Sequence, residues 1–315
     1  MNAVWSFWTK PYFAERRLSW HREWHHWLAW GLSVHAARQH YPQTQLVTDS
    51  AGARILIDEL QLPFESVSTA LDAIKGEDPN WWALGKIEAY RLQKSAFLHI
   101  DTDVFLWKRL AAELETADVI AQNPEEIELD GGYYCPTEFE SSIGWPKRGW
   151  LPPEWTWYRQ SKVPPRAECC GIFGGGRIDF INYFAETALR IVRHPANRPG
   201  WRELPGRHML LIEQYLLSAM IDYHRRRRES PFRIADIRYL FPTIEDAFVS
   251  ERATDAGFTH LAAGAKRNAR VARDLEQRVE RDLPEHYDRC ARYVRASGGF
   301  QWDYSVALED QLSPA

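Results

Sequence analysis

Two hydrophobic periods alternate along the first half of the chain. The runs AVWSFW (3–8), TQLVTDS (44–50), FESVS (64–68) and ADVIAQ (117–122) are short and apolar, with β-branched or aromatic residues, as strands are. Between the first two, residues 19–40 place Trp20, Trp24, Trp27, Leu28 and Gly31 at helical spacing, which predicts a helix with one apolar face. AGARILIDELQ and WWALGKIEAYRLQ (81–93) read as further helices. This alternation predicts an α/β fold, a mostly parallel Rossmann-like sheet with helices on both faces. Ligands of such sheets bind beyond the carboxyl ends of the strands.

The stretch SAFLHIDTDVFLW (95–107) breaks the apolar rule, because Asp101 and Asp103 stand inside what otherwise reads as a buried strand. A buried carboxylate is costly unless a cation meets it, so the strand ends at Asp101 or a positive partner waits there. Residues two apart in extended chain point the same way, and paired carboxylates suit a hard divalent cation that also binds phosphate. The bland alternative is a solvated turn.

From 124 to 167 the pattern dissolves into a Pro-, Gly- and Trp-rich stretch, read as an irregular lid or acceptor-binding loop. The tryptophans at 145, 150, 155 and 157 either form that platform or pack the loop onto the body. CCGIFGGGRIDFINYFAETALRIV (169–192) restores a strand, a glycine turn and a helix, and Gly174, Gly175 and Gly176 permit a close backbone approach or a tight turn. LLIEQYLLSAMIDYH (210–224) is a helix, FTHLAAGAKRN (258–268) a short strand and loop, and 269–297 a charged helical cap. The expected organisation is one catalytic unit over 1–268 and a helical C-terminal extension over 269–315.

Composition narrows the class. The chain has 315 residues, 45% of them hydrophobic and 26% charged, ordinary for a globular protein with a substantial core. A net charge of −4 argues against a nucleic-acid binder. Four cysteines without framework spacing, no signal-peptide pattern and no run approaching a membrane span predict a reduced, cytoplasmic protein. His21, His25 and His26 read as a solvated polar face of the first helix, because no nearby ligand completes a zinc site. The basic run HRRRRE (224–229) reads as wet cations at a helix end.

GKIEAYRLQKSAFLHIDTDVFLW resembles the heart of the GT-A glycosyltransferases, the nucleotide-sugar enzymes with a D-x-D motif, and most of all their bacterial family-8-like and family-32-like members. The resemblance implies that Asp101 and Asp103 bind a divalent metal holding the donor diphosphate. It also implies that Lys86, on the preceding helix, faces the sugar or phosphates; the plain reading is an exposed lysine. ECCGIFGGG is similar to the family's N-x-G-x-F-G element beside the donor sugar, with Cys169 and Cys170 where an asparagine often stands. Glu213, in LLIEQYLLSA, matches the acidic-Gln helix start near the reacting carbon, where a carboxylate is a candidate general base. THLAAGAKRN resembles the late H-x-x-G-x-x-K element, with His260 as third metal ligand, Lys266 on the leaving diphosphate, and the glycine displaced by one to Gly264. An imidazole ligand favours Mn²⁺ over Mg²⁺. By position in the family fold, Trp8 stacks on the nucleobase while Thr9 and Asp49 bond to base or ribose.

These implications make the chain a metal-dependent glycosyltransferase that moves a sugar from a nucleotide-sugar donor, UDP-linked, to a hydroxyl-bearing acceptor: a glycan, a peptide or a small molecule. The alternatives are a nucleotidyltransferase or metal-dependent phosphohydrolase using the same aspartates, and a Trp-rich carbohydrate-binding protein without catalysis.

Overall fold

In a computed structural model that describes residues 1–14, 19–233 and 237–297, the predicted strands assemble into one seven-stranded sheet. Its strands are β1 (Asn2–Phe7), β2 (Thr44–Thr48), β3 (Ser66–Ser68), β4 (Phe97–Ile100), β6 (Val119–Glu126), β7 (Arg166–Gly175) and β8 (Ile237–Tyr239), in the order β3-β2-β1-β4-β7-β6-β8. All run parallel except β7, which is antiparallel to both neighbours. A separate two-stranded ribbon pairs β5 (Val104–Leu106) with β9 (Phe258–His260). The expected α/β class, a mostly parallel sheet flanked by helices, is the observed one.

Period-two alternation sorts side chains between two cores, because successive strand residues point to opposite faces. Val4, Phe97, Val119 and Phe173 enter the core under helices 83–91, 178–193 and 216–226. Trp5, Leu98, Ile120 and Ile172 enter the other, under helix Glu23–Arg38. With both faces covered, the strands read as continuous apolar runs.

Helix Glu23–Arg38 corrects the expectation of a single apolar face. It is buried nearly all round, because the cap helices Ala269–Asp282 and Pro284–Ala296 pack on its outer side. His25 and His26 are therefore not a solvated face. His25 is 1% exposed and its Nε2 lies 2.6 Å from Glu276, while His26 accepts from the Trp30 indole at 3.2 Å. Burial holds the His25 pKa below the usual imidazole value against the pull of Glu276. Gly31 lets the cap approach: an added Cβ would stand 2.1 Å from the His286 ring, which itself bonds the Trp27 carbonyl at 3.0 Å. Gly31→Ala is expected to cost about 1–3 kcal/mol by overpacking, read as a lower urea midpoint with unchanged m-value. Residues 298–315 of the expected extension lie outside the described residues.

The segment 124–167 is more ordered than its composition suggests, holding helices Pro136–Ile143 and Pro153–Gln160. Its tryptophans pack inward: Trp155 is fully buried and donates to Glu140 at 2.7 Å, and Trp150 stacks on His194 beneath Arg190. The acceptor-platform reading of these tryptophans is thereby replaced by packing. The cations Arg225 to Arg228 are exposed, as expected.

Candidate functional site

β4 makes its last ladder bond where the Asp101 N–H donates to the Gly171 carbonyl at 3.0 Å. The chain then turns, with the Val104 N–H on the Asp101 carbonyl at 3.0 Å, and leaves as β5. Asp101-Thr102-Asp103 is therefore a turn at a strand's mouth and not extended chain. Its neighbour in space comes from the far end of the sequence. β9 pairs Val104 with His260, and the Leu261 N–H donates to the Asp103 carbonyl at 2.9 Å, so strand pairing sets the imidazole beside the carboxylate.

The charges interlock. Lys86, expected to face the donor sugar or phosphates, has a side chain only 10% exposed, which sets aside the plain reading of an exposed helix lysine. Its ammonium donates to Asp101 and to the Cys170 carbonyl, each at 2.8 Å, and forms an ion pair with Glu213 at 2.6 Å. Asp103 is ion-paired with Lys266, and its Oδ2 lies 3.7 Å from His260 Nε2. Burial pushes both aspartates up. Lys266 and His260 outweigh it at Asp103 and hold that carboxyl well below the usual range. At Asp101 the pull of Lys86 is weaker than burial reinforced by Asp103 and Glu213, and the carboxyl is pushed up to about 6.

His260 carries a further signature. Its Nδ1 lies 2.8 Å from Gln122 Oε1, which fixes the ring with Nε2 facing Asp103. A metal-ligating histidine is oriented in this way by a partner on its other nitrogen. Among the described residues no three His, Cys, Asp or Glu side chains are gathered closely enough to hold a metal ion: Asp101 is held on Lys86, and Asp103 on Lys266.

Gln122 and Gly171 were not among the expected site residues. A Cβ on Gly171 would lie 2.2 Å from Gln122 Oε1 and 2.8 Å from the His260 ring, so glycine is what lets the two meet. The sequence signal was present, since Gly171 is the glycine of C-C-G-I-F. Gly171→Ala is expected to displace the ring and cost about 1–3 kcal/mol by overpacking, read as a lower urea midpoint.

Other expected residues fall elsewhere. Gly174 and Gly175 lie at the far end of β7: a Cβ would stand 1.9 Å from the Phe97 carbonyl at Gly174 and 2.2 Å from the Asp118 carbonyl at Gly175. They permit strand-to-strand approach and do not border the site. Thr9 donates its N–H and hydroxyl to Asp49 Oδ2 at 2.9 and 2.7 Å, and Asp49 Oδ1 caps the next helix from the Gly52 N–H at 2.8 Å. With both its oxygens engaged, Asp49 is an N-cap, and the base- or ribose-binding role expected of the pair is not carried forward. The late glycine is also corrected. Ala263 has φ +46°, so the left-handed position stands three residues after His260 and three before Lys266, and alanine, not a displaced glycine, fills it.

Lys86, Asp101, Asp103, Glu213, His260 and Lys266 all border one cavity of about 650 Å³ at the carboxyl ends of β1 and β4. Trp8 borders it too, with Trp20, Trp30 and Trp82. Four carboxylates face this space against three lysine or arginine side chains, so a diphosphate would enter a site already short of positive charge. A larger open groove near Trp107 has its Arg278 paired with Asp282 and stacked on the Trp107 ring.

A family model described as a family of unknown function (DUF6734) matches residues 1–293. The chain belongs to DUF6734. No curated protein matches this DUF6734 member. Among solved structures, the crystal structure of galactosyltransferase LgtC in complex with donor and acceptor sugar analogs aligns over 87% of this chain and 96% of that one, at 12% identity and a TM-score of 0.37. Among the described residues no helix is long and apolar enough to cross a membrane.

Proposed function

We propose that this protein is a metal-dependent glycosyltransferase that takes a sugar from a nucleotide diphosphate donor, UDP-linked, and passes it to a hydroxyl-bearing acceptor. The observation that carries the reading is the meeting of Asp103, His260 and Lys266 at the mouth of β4, drawn from segments more than 150 residues apart. Asp101, Asp103 and His260 would hold Mn²⁺ or Mg²⁺, which when bound neutralises the donor's diphosphate as a Lewis acid. Lys266 sets a second positive charge against the leaving diphosphate, where it stabilises charge as that charge develops. The Lys86 ammonium stays on its internal partners in the cavity wall and holds Asp101 in position. Glu213 is 1% exposed and bonded to that ammonium. Its role in this reading is to hold Lys86 in place and not to act as a general base.

Incubation with a panel of nucleotide sugars and Mn²⁺, with products followed by mass spectrometry, tests the reading. The expected product is a nucleoside diphosphate. Nucleoside monophosphate with sugar 1-phosphate would establish the phosphohydrolase or nucleotidyltransferase alternative instead. No turnover of any donor, with sugar binding indifferent to Mn²⁺, would leave the non-catalytic binding protein.

A further inference from the structure

Next to Glu213 in sequence, Gln214 belongs to a second polar cluster on the same cavity wall. The buried phenol of Tyr134 lies 2.6 Å from Glu125 Oε2 and 2.5 Å from Gln214 Oε1. One phenolic proton cannot serve two acceptors. The phenol stands between the two, within donating distance of the Glu125 carboxylate and of the Gln214 amide oxygen. The Glu125 carboxylate lines the cavity, and its other oxygen accepts from no donor among the described residues.

Two exposed aromatic side chains border the same cavity. Tyr133 is 63% exposed, with its ring 6.0 Å from that of Tyr134, and Phe248, from the opposite chain segment, is 75% exposed. Both border the cavity, and exposed apolar side chains gathered at one opening mark a binding site. A carboxylate accepts hydroxyl protons, and an aromatic face packs on the C–H face of a ring. The cluster also disfavours an anion: Glu125 and Glu213 face it, and the nearby cation, Arg207, is paired with Glu138 at 3.2 Å.

We propose that Glu125, Tyr134 and Gln214, in the cavity that Tyr133 and Phe248 also border, form the acceptor subsite, and that its occupant is a neutral carbohydrate. The assignment of this pocket to the acceptor rests on the glycosyltransferase reading, whereas the chemistry of its occupant does not.

Saturation-transfer NMR on the full chain tests the subsite without requiring turnover. The probes are the neutral disaccharides lactose, cellobiose, maltose and sucrose, with glucose 6-phosphate and a serine-rich peptide as the other classes. Transfer to at least one neutral disaccharide, and not to the phosphate or peptide, is expected. Glu125→Gln should weaken that binding about tenfold to a hundredfold, as loss of a hydrogen bond to a charged group implies. Tyr133→Ala, at an exposed ring, should weaken it while the unfolding midpoint stays at the wild-type value. Saccharide binding without turnover of any nucleotide sugar would uphold the subsite and defeat the transferase reading. Transfer to the peptide or sugar phosphate alone, or wild-type affinity in both variants, would overturn the subsite and leave that reading standing.

Discussion

Lys86→Met should lower the free energy of unfolding by about 3–5 kcal/mol, the usual cost of removing one partner from a buried ion pair. An ordinary surface lysine on a helix would change stability by no more than about 0.5 kcal/mol, so the two outcomes are well separated. The large effect comes from what remains behind. Glu213 is 1% exposed and 2.6 Å from the ammonium, and Asp101 already has its carboxyl pushed up to about 6. Without Lys86 the buried Glu213 loses its counter-charge beside Asp101, and the Cys170 carbonyl loses its donor. The double variant Lys86→Met/Glu213→Gln should recover part of the loss, because the second change removes the stranded charge. Urea unfolding of the two variants beside the wild type measures both effects. A Lys86→Met protein as stable as wild type would show that the interlocked charges do not form.

Asp103→Asn should abolish Mn²⁺-dependent binding of a nucleoside diphosphate. The amide keeps the size of the side chain but removes the charge that both Lys266 and a metal require. Lys266 is itself 19% exposed and can turn to water, so the folded state should survive the change far better than in Lys86→Met. A saturating ligand at a hundred times its Kd adds about 2.7 kcal/mol to a native state that binds it. Thermal unfolding with UDP and Mn²⁺ should therefore move the wild-type midpoint and leave that of Asp103→Asn where it was. Equal shifts in the two proteins would remove Asp103 from the site.

The parts of this fold legible in the sequence are those in which one strand or helix suffices. β1, β2 and β4 announce themselves by apolar runs, and Asp101 and Asp103 by their presence in one. What stayed hidden depends on pairing at a distance. The first long helix loses its polar face to a cap more than 230 residues later, and no local pattern of His25 and His26 carries that information. Gly171 and Gln122 matter because β6 and β7 bring them against His260, a consequence of sheet order. Asp49 shows the opposite case. Asp-Ser-Ala-Gly at a strand end already has the form of an N-cap, and the local reading was the stronger one. The glycine expected near Lys266 was misplaced because composition names the residue that suits φ > 0, while the backbone puts Ala263 there.

The central claim is that the mouth of β4 is a metal-dependent diphosphate site. Calorimetric titration of UDP into the wild-type chain, with Mn²⁺ and again in EDTA, tests it most directly. The account predicts saturable binding in Mn²⁺ and none in EDTA, because four carboxylates against three cations leave the cavity repelling a diphosphate. Equal binding in both, or no binding in either to UDP or any other nucleoside diphosphate, would contradict it.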